Sequence, residues 1–195
     1  MNTTTQWLSV LAVFCASALG LAACTQPAQT AATQPSAQSA AEKELASIKA
    51  TQAQGQKNLA TFDDLDFNRY SNQDWEGFHK SHANDILVHY PDGHTTKGLE
   101  AHFAELKPQF VFAPDTKIKS HPIRIADGNY TAVMGIMEGT FSRPMPIGDG
   151  KTIPPTNKHF SLPMTTIGRW ENGLMEEEWL FWDNQAFMKQ VGLAK

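Results

Sequence analysis

Aromatic side chains are confined to one part of this chain, and that confinement decides where a core can form. Apart from Trp7 and Phe14, every Phe, Trp and Tyr lies beyond residue 58, and residues 25–58 contain none. A segment with so little to bury cannot offset its own ordering entropy, whereas residues 59–195 carry enough large apolar side chains for one domain. With 16 basic against 20 acidic residues and a pI near 5.9, the chain lacks the concentrated positive charge of a nucleic-acid binder. Its 2 cysteines cannot frame a disulfide scaffold, and no Cys/His spacing matches a zinc finger.

Residues 7–23, WLSVLAVFCASALGLAA, form an apolar run at the short edge of bilayer-spanning length, closed by small residues. The run ends in Leu21-Ala22-Ala23-Cys24, which resembles a bacterial lipobox. Small residues give a signal peptidase access to the backbone, and the thiol is the atom that accepts diacylglycerol. On this reading residues 1–23 are a lipoprotein signal peptide, and lipidation at Cys24 leaves acyl chains as the only membrane attachment. Thr25 and Gln26, with no Asp, resemble the start of lipoproteins sent to the outer membrane, so the expected location is its periplasmic face in a bacterial cell envelope. The pattern departs in one respect: MNTTTQ carries no Lys or Arg. An uncleaved helix or an ordinary secretory peptide is the alternative. Cys15 would leave with the signal, so the exported domain would hold no free thiol. Residues 24–58, dominated by Ala, Gln, Thr, Ser and Pro, read as a disordered tether. Within it AAEKELASIKA has helical character, but Leu45 and Ile48 are too few to dock firmly.

Within residues 59–195 the apolar spacing gives a loose helical stripe at Leu59, Phe62, Leu65, Phe67 and Tyr70. A second helix is expected from Asp74, with Trp75, Phe78, His79 and His82 on one face, then a strand over 86–90. Leu99, Phe103, Leu106 and Phe110 mark a third helix. Beyond Pro114 the signals are strand-like: 118–125, a turn at Asp127-Gly128-Asn129, then 130–141. After a Pro/Gly-rich loop come 159–170, with Pro163 at a bulge or edge, and 174–182. A short helix over 184–191 is stopped by Gly192. This order is α+β, with helices packed over one face of a curved antiparallel sheet. Both faces of the last strand carry apolar residues, so the sheet has a spare apolar face that suggests a homodimer.

The pieces Gly98-Leu99-Glu100-Ala101, Gly139-Thr140-Phe141, Pro154-Pro155-Thr156-Asn157-Lys158 and Ile167-Gly168-Arg169-Trp170-Glu171-Asn172-Gly173 appear in a fixed order. They are followed by Glu177, Trp179 and Asp183 at the spacing E-x-W-x-x-x-D and a helix ending in Val191-Gly192. Together these resemble the SnoaL-like polyketide cyclases, also called ester cyclases, of the nuclear transport factor 2-like superfamily. Asn157 replaces a frequent Gly, and residues 145–152 lengthen one loop. The resemblance implies a cone-shaped half-barrel, with N-terminal helices on the concave face of the sheet and a hydrophobic pocket between them. It further implies an intramolecular aldol-type cyclisation, or an isomerisation, of a small hydrophobic carbonyl compound by general acid/base chemistry, with no cofactor and no metal.

In that resemblance Asp183 is the catalytic residue. Strand parity puts Glu177, Trp179 and Phe181 beside it as pocket residues, where desolvation would raise its pKa. A structural reading competes: Asp183 immediately precedes the final helix, where a carboxylate caps amide groups and its pKa falls. Glu176 and Glu178 read as a solvated run. His79 and His82 share a stripe with Trp75 and Phe78, while His89, Tyr90 and His159 are further pocket candidates on fold analogy. His94, His102 and His121 read as surface or loop residues. A metal at His79 and His82 would need His89 or His159 as a third ligand, at no recognised spacing, so none is expected. The rival to an enzyme is a non-enzymatic periplasmic ligand-binding or accessory lipoprotein using the same cavity.

Overall fold

The computed structural model describes residues 37–195. The expected signal peptide and Cys24 lie outside that range, as does the first part of the expected tether. The rest of the tether is helical: α1 runs from Ala37 to Asp64. This corrects the expectation of disorder up to residue 58. After Pro35 the sequence is rich in Ala, Gln, Lys and Glu, all good helix formers. Its far end is anchored, with Gly55, Asn58, Leu59 and Phe62 buried. The turns before Gly55 are exposed almost throughout, Leu45 and Ile48 included, so this part of the helix rests on propensity and on continuity with the docked end.

Beyond Asp64 the helix loosens into a π turn (Leu65–Arg69) and a 3-10 turn (Tyr70–Asn72). The second helix is only a 3-10 turn (Glu76–Lys80), because the chain straightens at His82 into a longer first strand than expected. The remaining elements are β1 (His82–His89), β2 (Thr95–Lys97), α2 (Leu99–Phe112), β3 (Lys117–Ile118), β4 (Ile123–Asp127), β5 (Tyr130–Thr140), β6 (Met145–Pro146), β7 (Thr152–Ile153), β8 (His159–Glu171), β9 (Leu174–Trp182) and α3 (Asn184–Gln190). The single strand expected over 118–125 is thus split into β3 and β4. Asn157 takes a left-handed φ of 57°, a conformation Asn tolerates in place of Gly.

Seven strands form one sheet in the order β2-β1-β9-β8-β5-β3, with β4 also on β5. The sheet is mixed rather than antiparallel: β1 lies parallel to β9. These strands are far apart in the chain, so no hairpin imposes an antiparallel arrangement on them. Pro163 faces Ile136 of β5 and lies just past Met164, where the β8–β9 pairing ends, so its missing N–H deprives β9 of no bond. α1 packs on β4 and β5, and α2 on β1 and β2. Leu59, Phe62, Phe78, Phe103, Val133 and Trp170 belong to the core they enclose. This is the curved sheet with a helical cover that the resemblance implied.

Candidate active site

One irregularity in β9 decides what faces the interior. Arg169 of β8 pairs with Glu177 and Trp170 pairs with Met175, so Glu176 is an extra residue bulged out of the ladder. The bulge lets Met175 and Glu178, three positions apart, both point inward. From there the alternation continues inward through Leu180 and Trp182, which line a cavity of about 230 Å³ with Glu178. Ligand pockets commonly span ~300–1,000 Å³, so this one suits a small molecule.

Several candidates therefore lie elsewhere. Glu177, Trp179 and Phe181 point to the convex side of the sheet, with Phe181 49% exposed. There the His89 ring stacks on Trp179 with centroids 5.1 Å apart, and its Nε2 lies 2.9 Å from Glu177 Oε1. That contact, with Arg169 Nε donating to Glu177 Oε2 at 3.2 Å, holds the Glu177 carboxyl below the ordinary range. Asp183 is exposed and caps α3, its Oδ1 accepting from the Ala186 amide at 2.9 Å. It does not line the cavity. His79 is exposed and contacts Asn84 Oδ1 at 2.8 Å, and His159 is exposed at the start of β8. Tyr90 is buried behind the cavity wall. Of the expected pocket residues only His82 lines the cavity.

Buried ionisable groups cluster at two loci of the cavity, whose mostly apolar wall also includes Glu105, Gln109, Thr166 and Asn184. At the first, His82 (β1), His102 (α2) and Glu178 (β9) are 1%, 2% and 4% exposed. Glu178 Oε2 stands 3.9 Å from His82 Nε2 and 3.5 Å from His102 Nε2. His82 Nδ1 meets Ser81 Oγ at 2.9 Å, and His102 Nδ1 meets the Tyr90 hydroxyl at 2.8 Å. Burial drives the His102 pKa down to about 4, so its imidazole is neutral at pH 7, and it pushes the Tyr90 hydroxyl up to about 12. Burial alone would raise the Glu178 carboxyl, but the two facing imidazoles outweigh it and hold the group low.

At the second locus Asp66, in the turn after α1, lines the cavity with its side chain 14% exposed. Its Oδ2 lies 2.9 Å from His121 Nε2, and Asp63 Oδ1 lies 2.7 Å from His121 Nδ1. The His121 ring is 1% exposed and packs against Phe67, centroids 4.4 Å apart. Arg124 Nη2 closes the chain on Asp63 Oδ2 at 2.8 Å. Burial raises the Asp66 carboxyl, with His121 pulling part of the shift back. The His121 ring loses charge stability through burial, yet the two carboxylates outweigh this and raise its pKa. The result is an Asp66–His121–Asp63 chain of contacts that runs from a cavity carboxyl to Arg124.

The side chains of Glu178, His102 and His121 are buried, against the expectation of surface groups, and Asp66 is a site residue outside the expected set. Asp66 had a signal: it falls midway between Phe62 and Tyr70 on the apolar stripe, an acid on a face meant for the core. His102 likewise sits beside Phe103 and one turn from Leu99 and Leu106. His121 offered none, since its partners come from a distant helix.

The sequence profile of the family described as SnoaL-like polyketide cyclase matches residues 67–191. Among solved structures, the chain is similar to a SnoaL-like protein from Jannaschia sp. CCS1 (TM-score 0.62, 17% identity, 72% of this chain and 95% of that one). IdmH from Streptomyces antibioticus superposes with a TM-score of 0.59 at 22% identity over 69% of this chain and 98% of that one. An NTF2-like protein from Burkholderia pseudomallei K96243 gives 0.55 at 16% identity over 69% and 97%. No curated protein sequence matches.

Proposed function

The chain belongs to the SnoaL-like polyketide cyclase family, and from that premise we propose that it admits a small, mostly apolar carbonyl compound to its cavity and moves a proton on it through Asp66. The observation that carries this reading is the Asp66 carboxyl: it faces an apolar cavity, is raised by burial, and is backed by His121 and Asp63. A carboxyl poised in this way can take a proton and give it back. His121 engages Oδ2, which leaves Oδ1 for the substrate. As carboxylate, Asp66 removes a proton α to the carbonyl. In a cyclisation the enolate carbon then attacks a second carbonyl of the same molecule, and the new alkoxide takes the proton back. Atoms balance, and the product is an isomer of the substrate.

Simple aryl alkyl ketones in deuterium oxide test the proton step directly. The wild-type chain is expected to exchange their α-protons, read by proton NMR. Asp66→Asn is expected to lose the exchange, while Asp183→Asn, which alters only a helix cap, retains it. Loss in Asp183→Asn with retention in Asp66→Asn would overturn the assignment. A wild type that binds but does not exchange points to the non-enzymatic binding lipoprotein instead.

The reading includes export and lipidation at Cys24, with the domain held at the periplasmic face of the outer membrane. The residues around Cys24 support it, and among the described residues no helix is long and apolar enough to cross a bilayer. In a bacterial host, the full-length chain is expected to fractionate with outer membranes and to incorporate labelled palmitate. Cys24→Ser should abolish both, and a soluble, unlabelled wild type would sink the idea.

It also includes pairing of two copies through the convex face. Cross-strand partners place Ile123, Met134, Thr165 and Phe181 in one row, and Ile125, Ala132, Ile167 and Trp179 in the next. Ile125 is 58% exposed and Ile123 49%, an apolar area of the kind that marks a protein interface. Light scattering should give the mass of two chains, reduced to one in Phe181→Lys. A single-chain mass for the wild type removes the dimer.

A further inference from the structure

We infer that His82, His102 and Glu178 form a binding site for one divalent first-row transition ion, with zinc the best match to the donor set. The three side chains come from β1, α2 and β9, and each offers a ligand atom within 4.8 Å of the others. Ser81 Oγ, 3.1 Å from the Phe78 carbonyl, holds His82 Nδ1 at 2.9 Å and so fixes the ring. His82 Nε2, on the other side of the ring, faces Glu178 Oε2 at 3.9 Å. That Nε2 and Glu178 Oε2 are both buried without a hydrogen-bond partner. A buried polar atom without a partner costs about 1–3 kcal/mol, and a cation bound by both atoms would satisfy the two together.

The spacing fits an ion better than a shared proton. A charge-assisted N–H···O bond draws its atoms to ~2.7–2.9 Å. Ligands bound at ~2.1 Å in tetrahedral geometry stand about 3.4 Å apart. The separations from Glu178 Oε2 to the two imidazole nitrogens, 3.5 and 3.9 Å, are near the second figure. Two imidazole nitrogens with one carboxylate oxygen suit zinc or a neighbouring transition ion, whereas magnesium and calcium prefer all-oxygen sets. Ser81 and Tyr90 supply the outer contacts that fix ligating imidazoles. Because all three side chains line the cavity, the remaining coordination position opens toward it, where a carbonyl oxygen could bind. No ligand spacing marks this site in the sequence because the three residues lie on separate elements. This inference rests on these three residues and not on the proton-transfer reading of Asp66.

The test is a titration of the chelator-stripped full-length chain with cobalt(II), followed by zinc. One equivalent of cobalt should bind with the visible ligand-field bands of a four- or five-coordinate site, and zinc should displace it. Glu178→Gln and His102→Asn should each weaken binding by at least ~100-fold, with far-ultraviolet circular dichroism confirming that they fold. Tyr90→Phe, which removes only an outer contact, should weaken it by ~10-fold. Asp66→Asn should still take up one equivalent of the ion, so this inference and the proton-transfer reading fail separately. No stoichiometric uptake by the stripped wild type overturns the site, as does uptake that survives Glu178→Gln unchanged.

Discussion

Asp66→Asn is expected to lower α-proton exchange by about 100- to 10,000-fold, the range a positioned acid/base group contributes. The substitution is nearly isosteric, and the amide oxygen can still accept from His121 Nε2, so the cavity wall keeps its geometry while losing its titratable group. The pH profile separates this from a packing effect. Burial raises Asp66 above its ordinary 3.8, so the carboxylate forms only as pH climbs through the raised value. Wild-type exchange should rise over that interval and level off above it. The Asn variant should show only a low, flat rate, and a variant whose residual rate retained the wild-type profile would place the base elsewhere.

Trp170→Ala is expected to destabilise the domain by about 3–5 kcal/mol, the usual result of emptying a buried aromatic site. Trp170 is 2% exposed, and its Nε1 donates to Thr131 Oγ1 at 2.8 Å. The truncation therefore opens a void and strands a buried hydroxyl. Neighbouring side chains cannot readily collapse into the space. Gly168 exists to admit this packing: a Cβ there would collide with Met175 Sδ and lie 3.0 Å from Trp170 Nε1. For a domain of this size the melting temperature should fall by ~10 °C, measurable by calorimetry. A drop of only a degree or two would mean that the interior is far more plastic than its packing implies.

Much of the architecture was legible because it rests on local pattern. The alternation of β5, β8 and β9, the turn at Gly128, the apolar stripe of α2 and the stop at Gly192 all follow from near neighbours in sequence. The length of α1 was obscured because its first turns are stabilised by propensity, which the absence of burial had seemed to contradict. The candidate site was less legible for two physical reasons. Period-2 alternation leaves a strand's two faces equivalent until something breaks the tie, and the motif ending in Asp183 favoured the odd-numbered face. The bulge at Glu176 and the pairing with β8 turn the even-numbered face inward. His121 and Glu178, for their part, acquire meaning only from groups distant in sequence.

The parallel seam between β1 and β9 also orders the folding process. Across it His89 meets Glu177, 88 positions along the chain. Closing a loop of that length carries an entropy cost of about 4 kcal/mol before any contact offsets it. Until the final strand emerges, β1 has one edge bare, with Ile86 and Val88 beside it, which makes the nascent chain vulnerable to sticking there. The chamber is therefore the last part of the domain to mature, because Glu178, Leu180 and Trp182 of β9 complete its wall.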